Sequence, residues 1–285
     1  MVLELITNFS KLRHRPKTMF FEAIILTVIS VIFSVSLFPK EFCSIGILAF
    51  ITIGALPLFN KLYSYDSYIY NYNKNFFRRH EKIIKLLFYF FLGIFVTLIA
   101  IFFIAPTNVS DKLFYSQIKE VAGISDIRAE ITGDFIGPET STFQKAFSEI
   151  SKNNLGVMLT AVTLSFFYGA GGLFLIVWNA SIFSYVIIQD LIFSFSTVAG
   201  HGLVSIFMGL FNSLVNFLGY LPHGIFEFLA YFFASVAGAV LARDLFKGIF
   251  TTEFAGRALK DFLLMLLIAL VCYFLGALIE ATYFL

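Results

Sequence analysis

Residues 86–105 read LLFYFFLGIFVTLIAIFFIA, an uncharged apolar run between Lys85 and Pro106. A hydrocarbon core of about 30 Å takes about 20 helical residues at 1.5 Å each. Inside lipid an unsatisfied backbone amide costs several kcal/mol, so a run of this kind is helical. A barrel strand would alternate apolar and polar residues over about 10 positions. This run does not alternate, and it is one of several. Residues 19–38 form an apolar run ending at Pro39, and 42–59 form a second, broken by Pro57. Runs at 155–178, 202–220, 223–242 and 260–283 follow. The whole chain of 285 residues is 59% hydrophobic and only 13% charged. Soluble domains carry about 25% charged residues. The fold class is therefore all-α, a polytopic transmembrane helical bundle.

Topology follows from where the cations fall. Lys and Arg concentrate in cytoplasmic loops. Lys11, Arg13, Arg15 and Lys17 precede the first run. Lys61, Lys74, Arg78, Arg79, Lys82 and Lys85 lie between the second and third, and only Lys40 lies in the intervening turn. This predicts a cytoplasmic N-terminus, a tight external turn and a basic internal loop. The first run lacks a small-x-small cleavage site and reads as a retained helix. Tyr63, Tyr65, Tyr68, Tyr70 and Tyr72 read as an interfacial aromatic belt. Residues 107–154 hold five basic and seven acidic side chains and form the one long polar stretch. Phe143, Ala146, Phe147 and Ile150 there repeat at helical spacing, as do Leu113, Phe114, Ile118 and Val121. Both sets predict amphipathic helices, lying on the membrane surface or folded as a small cap.

The last basic cluster, Arg243 to Lys260, belongs inside, which requires an even number of crossings between 179 and 243. Three apolar segments occupy that interval. Asp190 sits mid-segment in 180–199 and would cost about 2.5–3.5 kcal/mol in lipid. That segment is expected to be re-entrant, broken or interfacial. The count is then about seven spans plus that segment, with an extracytoplasmic C-terminus. Four units result: 1–85 with the hairpin and basic loop, the helix at 86–106, the extracytoplasmic 107–154, and the bundle 155–285.

The polar residues inside the apolar runs are the candidate functional residues. His223 and Glu227 share a helix face four positions apart, about one turn inside the outer boundary. Glu280 lies one turn before the end of the last span. Asn153 and Asn154 open a span, and Asn212 and Asn216 share a face of another. These seven are predicted to converge in the outer half of the bundle, acting as interhelical ties or as a functional centre. Asn179, Gln189, Asp190, His201, Arg243 and Asp244 form a second, inner set. His223, Glu227 and Glu280 would supply three metal ligands, but His-x-x-x-Glu is a nonspecific spacing. Cys43 and Cys272 make neither a disulfide framework nor a metal pattern. No Walker A, dinucleotide or zincin motif occurs, no cofactor is implied, and a net charge of +2 gives no footprint for nucleic acid.

Leu221-Pro222-His223-Gly224-Ile225-Phe226-Glu227, with Asn153-Asn154, Gly171-Gly172 and Asn179 upstream and Ala277-Leu278-Ile279-Glu280-Ala281 downstream, resembles the stage II sporulation protein M family of integral membrane proteins. The resemblance covers about residues 85–285. The chain has Asn179-Ala180 where the family often has Asn-Gly, and the hairpin at 19–59 looks like an addition. The resemblance implies a non-enzymatic membrane scaffold or complex subunit, since the family's namesake serves as a scaffold in engulfment with cell-wall hydrolases. Two alternatives stay open: a transporter, channel or lipid-handling protein using the outer polar residues, and an intramembrane metalloenzyme. The expected location is the cell membrane. The expected partners are the lipid bilayer and other proteins or a second copy of the chain.

Overall fold

The computed structural model describes residues 16–65, 75–122, 139–197 and 203–282. These form helices α1 (Thr18–Leu37), α2 (Lys40–Tyr65), α3 (Phe76–Ile104), α4 (Thr107–Leu113), α5 (Glu139–Tyr168), α6 (Leu173–Thr197), α7 (Leu203–Phe246) and α8 (Ala255–Thr282). A 3₁₀ turn at Ile249–Thr251 joins α7 to α8. No strand occurs among the described residues. Six helices (α1, α2, α3, α6, α7 and α8) are long and apolar enough to cross a membrane. The seventh long helix, α5, is polar in its first half and apolar from Leu155 onward.

Prolines set the first boundaries. Phe38 takes an extended conformation at the end of α1, as a residue before proline does. Pro39 then accepts from the amides of Phe42 and Cys43, so α2 starts at once and the hairpin is tight. Ala105 before Pro106 ends α3 the same way. Pro57, expected to break the second run, instead lies inside α2. Interior prolines are tolerated in membrane helices because neighbouring groups satisfy the freed carbonyl. The six-cation loop is shorter than expected, because Arg78, Arg79, Lys82 and Lys85 ride on the first turns of α3. Tyr68, Tyr70 and Tyr72 lie outside the described residues.

The 155–242 region departs most from the sequence expectation. The break falls at Gly169–Gly172, not at 178. Gly169 has φ 68°, a left-handed value that closes the end of α5. The amide of Ala170 donates to Asn60 Oδ1 at 2.7 Å, docking this turn on the end of α2. The segment expected to be re-entrant is the continuous helix α6. Its continuity has a physical reason: Asp190 is met by two donors from α7, Ser213 Oγ at 2.7 Å and Asn216 Nδ2 at 2.6 Å. The runs at 202–220 and 223–242 are one helix of 44 residues, and Pro222 lies inside it rather than opening a new one. At 1.5 Å per residue α7 is about 66 Å long, twice the hydrocarbon thickness.

The two halves of α7 do different work. Residues 203–220 pair with the end of α6, where Phe195 fills the space over Gly209. Residues 230–240 are buried throughout between α5 and α8. Gly238 lets α7 approach α5: a Cβ there would stand 2.3 Å from the Val162 carbonyl. Gly93 does the same for α3 against α1, with the Phe20 carbonyl 2.6 Å from an added Cβ. Small residues at such crossings replace the hydrophobic drive that helices lack in lipid. Phe59, Phe90 and Phe91 fill the core among α1, α2, α3 and α7.

The amphipathic segments pack inward. Leu113 and Phe114 are buried, and Phe114 meets Phe102 and Tyr185. Ser44 Oγ donates to Ser116 Oγ at 2.7 Å, fastening this cap to the start of α2. Phe143, Ala146, Phe147 and Ile150 belong to α5, where Phe147 packs edge-on against Phe274 of α8.

Candidate functional site

Two polar clusters lie at opposite ends of the bundle. The first joins α5, α7 and α8. Asn154 is buried, and its Nδ2 donates to Glu227 Oε1 at 2.6 Å. Tyr231 OH donates back to Asn154 Oδ1 at 3.2 Å. Glu280 is hydrogen-bonded to Glu227. Gly276 makes room for this arrangement, because a Cβ there would come 3.1 Å from Glu227 Cγ. Tyr231 stands four residues after Glu227, on the same face of α7. It escapes a sequence search for ionisable groups, although that spacing signals it.

The second cluster was not expected at all. Asp261, fully buried on α8, accepts from Arg79 Nε at 2.7 Å and pairs with His80 Nε2 at 2.9 Å. Arg79 also reaches the other carboxylate oxygen, giving a bidentate pair. Near it, Arg243 Nε donates to Asp244 Oδ1 at 2.7 Å, and the Arg243 guanidinium reaches the Tyr63 carbonyl at 3.4 Å. The ends of α2 and α7 and the starts of α3 and α8 are thereby clasped together. Arg79 and His80 read as loop residues in the sequence. Their partner lies 181 or more positions away.

The expected seven-residue convergence is thus divided. Asn154, Glu227 and Glu280 come together. Asn153 is exposed and reaches only Asn154, at 3.5 Å. The half-buried His223 packs its ring 6.3 Å from Tyr220. Asn216 joins Asp190 instead, so Asp190 belongs near the far end of α6 and not with an inner set. Asn212 lines a cleft beside them. Asn179 turns back on its own helix, Nδ2 to the Leu175 carbonyl at 2.7 Å. Gln189 is exposed on α6. Arg243 and Asp244 hold each other, and His201 lies outside the described residues. Among the described residues no three His, Cys, Asp or Glu side chains are grouped to hold a metal ion.

A long-helix bundle with apolar outer faces and polar ties between helices defines a polytopic membrane protein. The family model described as Stage II sporulation protein M matches residues 86–283, and the chain belongs to that family. No curated protein and no solved structure gives a significant match. The match holds the Asn154–Tyr231–Glu227–Glu280 cluster and Asp261, and it begins after Arg79 and His80. The buried ion cluster thus binds the family region to the preceding segment.

Proposed function

We propose that the chain is a non-enzymatic scaffold or complex subunit of the cell membrane. What supports this reading is that the polar groups of the two clusters are engaged with one another. Asn154 uses its donor on Glu227 and its acceptor on Tyr231, and Asp261 uses both oxygens on Arg79 and His80. Such groups fasten helices and present a fixed shape. In this reading all seven long helices cross the bilayer. The end bearing Lys17, Lys61, Arg78 and Lys260 faces the cytoplasm by the positive-inside bias, and Thr282 lies near the other face. The partners are other proteins or a second copy of the chain.

The test is purification of the full chain from its own membranes in mild detergent, with cross-linking before extraction. A partner or second copy should appear at a fixed ratio in independent preparations. A lone chain in every preparation would overturn the proposal. The Glu227–Glu280 pair favours one second reading, proton-coupled transport, because ionisable groups within a membrane mark ion paths. Proton uptake into proteoliposomes that disappears in Glu227→Gln would select it.

A further inference from the structure

The hairpin of α6 and the first half of α7 is built inside out. Val204, Phe207, Leu210, Leu214 and Leu218 are exposed, while Ser194 and Ser213 are buried and Asp190 is half-buried, bonded across the seam by Ser213 and by the exposed Asn216. In lipid this is the stable sense, since polar groups turn toward protein. The seam is not filled. A cleft of about 270 Å³ opens between Phe193, Ser194 and Thr197 on α6 and Phe211, Asn212, Val215 and Asn216 on α7. That volume is about nine waters at 30 Å³ each, enough for a small head group and not for a whole amphiphile.

Three observations say what the cleft takes. Asn216, in its wall, hydrogen-bonds Asp190, and among the described residues no cation pairs with that carboxylate. Its bonds come from a neutral hydroxyl and a neutral amide, and neither supplies a counter-charge. Ser194 is 2% exposed, lines the cleft, and its hydroxyl has no hydrogen-bond partner. Phe193 and Phe211 line the cleft, and aromatic faces attract ammonium groups. The surroundings identify the source. The hairpin that holds the cleft exposes Val204, Phe207, Leu214 and Leu218, apolar side chains against which acyl chains can lie, so the ammonium belongs to a lipid.

We propose that the cleft between α6 and α7 binds the ammonium group of a zwitterionic phospholipid head. Asp190, one hydrogen bond behind the cleft-lining Asn216, supplies the charge, Ser194 and Asn212 supply polar contacts, and Phe193 and Phe211 supply π faces. The site is separate from the Glu227–Glu280 cluster and does not depend on the scaffold reading.

Native mass spectrometry of the full chain in neutral detergent tests it. The probes are phosphatidylethanolamine, phosphatidylcholine and phosphatidylglycerol with identical acyl chains. The two ammonium lipids should be retained about tenfold better than phosphatidylglycerol, and Asp190→Asn should erase that preference. Free ethanolamine at millimolar concentration distinguishes the sources. Displacement of the lipid shows that the ammonium suffices, and failure to displace shows that the acyl chains add to it. Both results support the site. Equal retention of phosphatidylglycerol by the wild type, or an unchanged preference in Asp190→Asn, overturns it. Should Asp190→Asn fail to fold, Phe211→Leu keeps an apolar side chain and removes one π face. It should weaken ammonium-lipid retention about threefold, and no change would overturn the proposal.

Discussion

Asp261→Ala is expected to destabilise the bundle by about 3–5 kcal/mol, the cost of breaking a buried ion pair from one side. Asp261 is fully buried, and the Arg79 side chain is only 12% exposed. Without the carboxylate, the guanidinium keeps its charge and loses its bidentate acceptor. His80, 2% exposed, loses its Nε2 partner as well. The measurement is unfolding of the purified chain in mixed micelles by titration with a denaturing detergent, followed by circular dichroism. The double variant Asp261→Ala, Arg79→Met should recover much of the loss, since replacing both members of a buried pair by apolar groups is often neutral. A wild-type midpoint for Asp261→Ala would mean that the clasp between α3 and α8 does not hold these ends together.

Gly238→Val is expected to cost about 3 kcal/mol, the upper end for overpacking a tight core. The added Cβ would meet the Val162 carbonyl at 2.3 Å and Ser165 Cβ at 2.9 Å. The first of these is backbone, so no side-chain rotation relieves it and α5 must move away from α7. Asn154 rides on α5 and Tyr231 and Glu227 on α7, so the same displacement loosens the 2.6 Å bond between Asn154 and Glu227. Gly156→Ala on α5 is the control. Nothing stands within 4 Å of its Cβ, and alanine gains about 0.5–1 kcal/mol of helix stability over glycine. Both variants are read in the same unfolding titration. Equal midpoints for the two would contradict close contact between α5 and α7.

The sequence was most informative where a charged or proline residue bounds an apolar run. α1, α3 and α8 follow from hydropathy, and Pro39 and Pro106 place their turns. Between 155 and 242 the chain is apolar almost throughout, and hydropathy has no contrast with which to locate a break. Pro222 suits a first helical turn and equally an interior position in lipid, while the real turn rests on the positive φ of Gly169. Asp190 argued for a broken segment only so long as its partners were unknown. They come from the next helix, 23 and 26 positions on. Counting from the ends of the apolar runs places Asn154, Glu227 and Glu280 at one level, even though the runs at 155 and 223 start inside longer helices. It does not tell which face each helix turns to its neighbour, which is why Asn216 and Glu227 part company. Pairing across 181 or more positions, as in the Asp261 cluster, leaves no local trace.

Labelling of single introduced cysteines in intact cells tests the seven-crossing path most directly. The native Cys43 and Cys272, both buried, are first replaced by alanine. Lys40→Cys marks the α1–α2 turn, Thr197→Cys the end of α6 and Glu253→Cys the α7–α8 turn, all at exposed positions. A membrane-impermeant maleimide should label the first two in intact cells and the third only after lysis. Thr197→Cys and Glu253→Cys reacting from the same side would mean that α7 does not cross, and the path described here would be wrong.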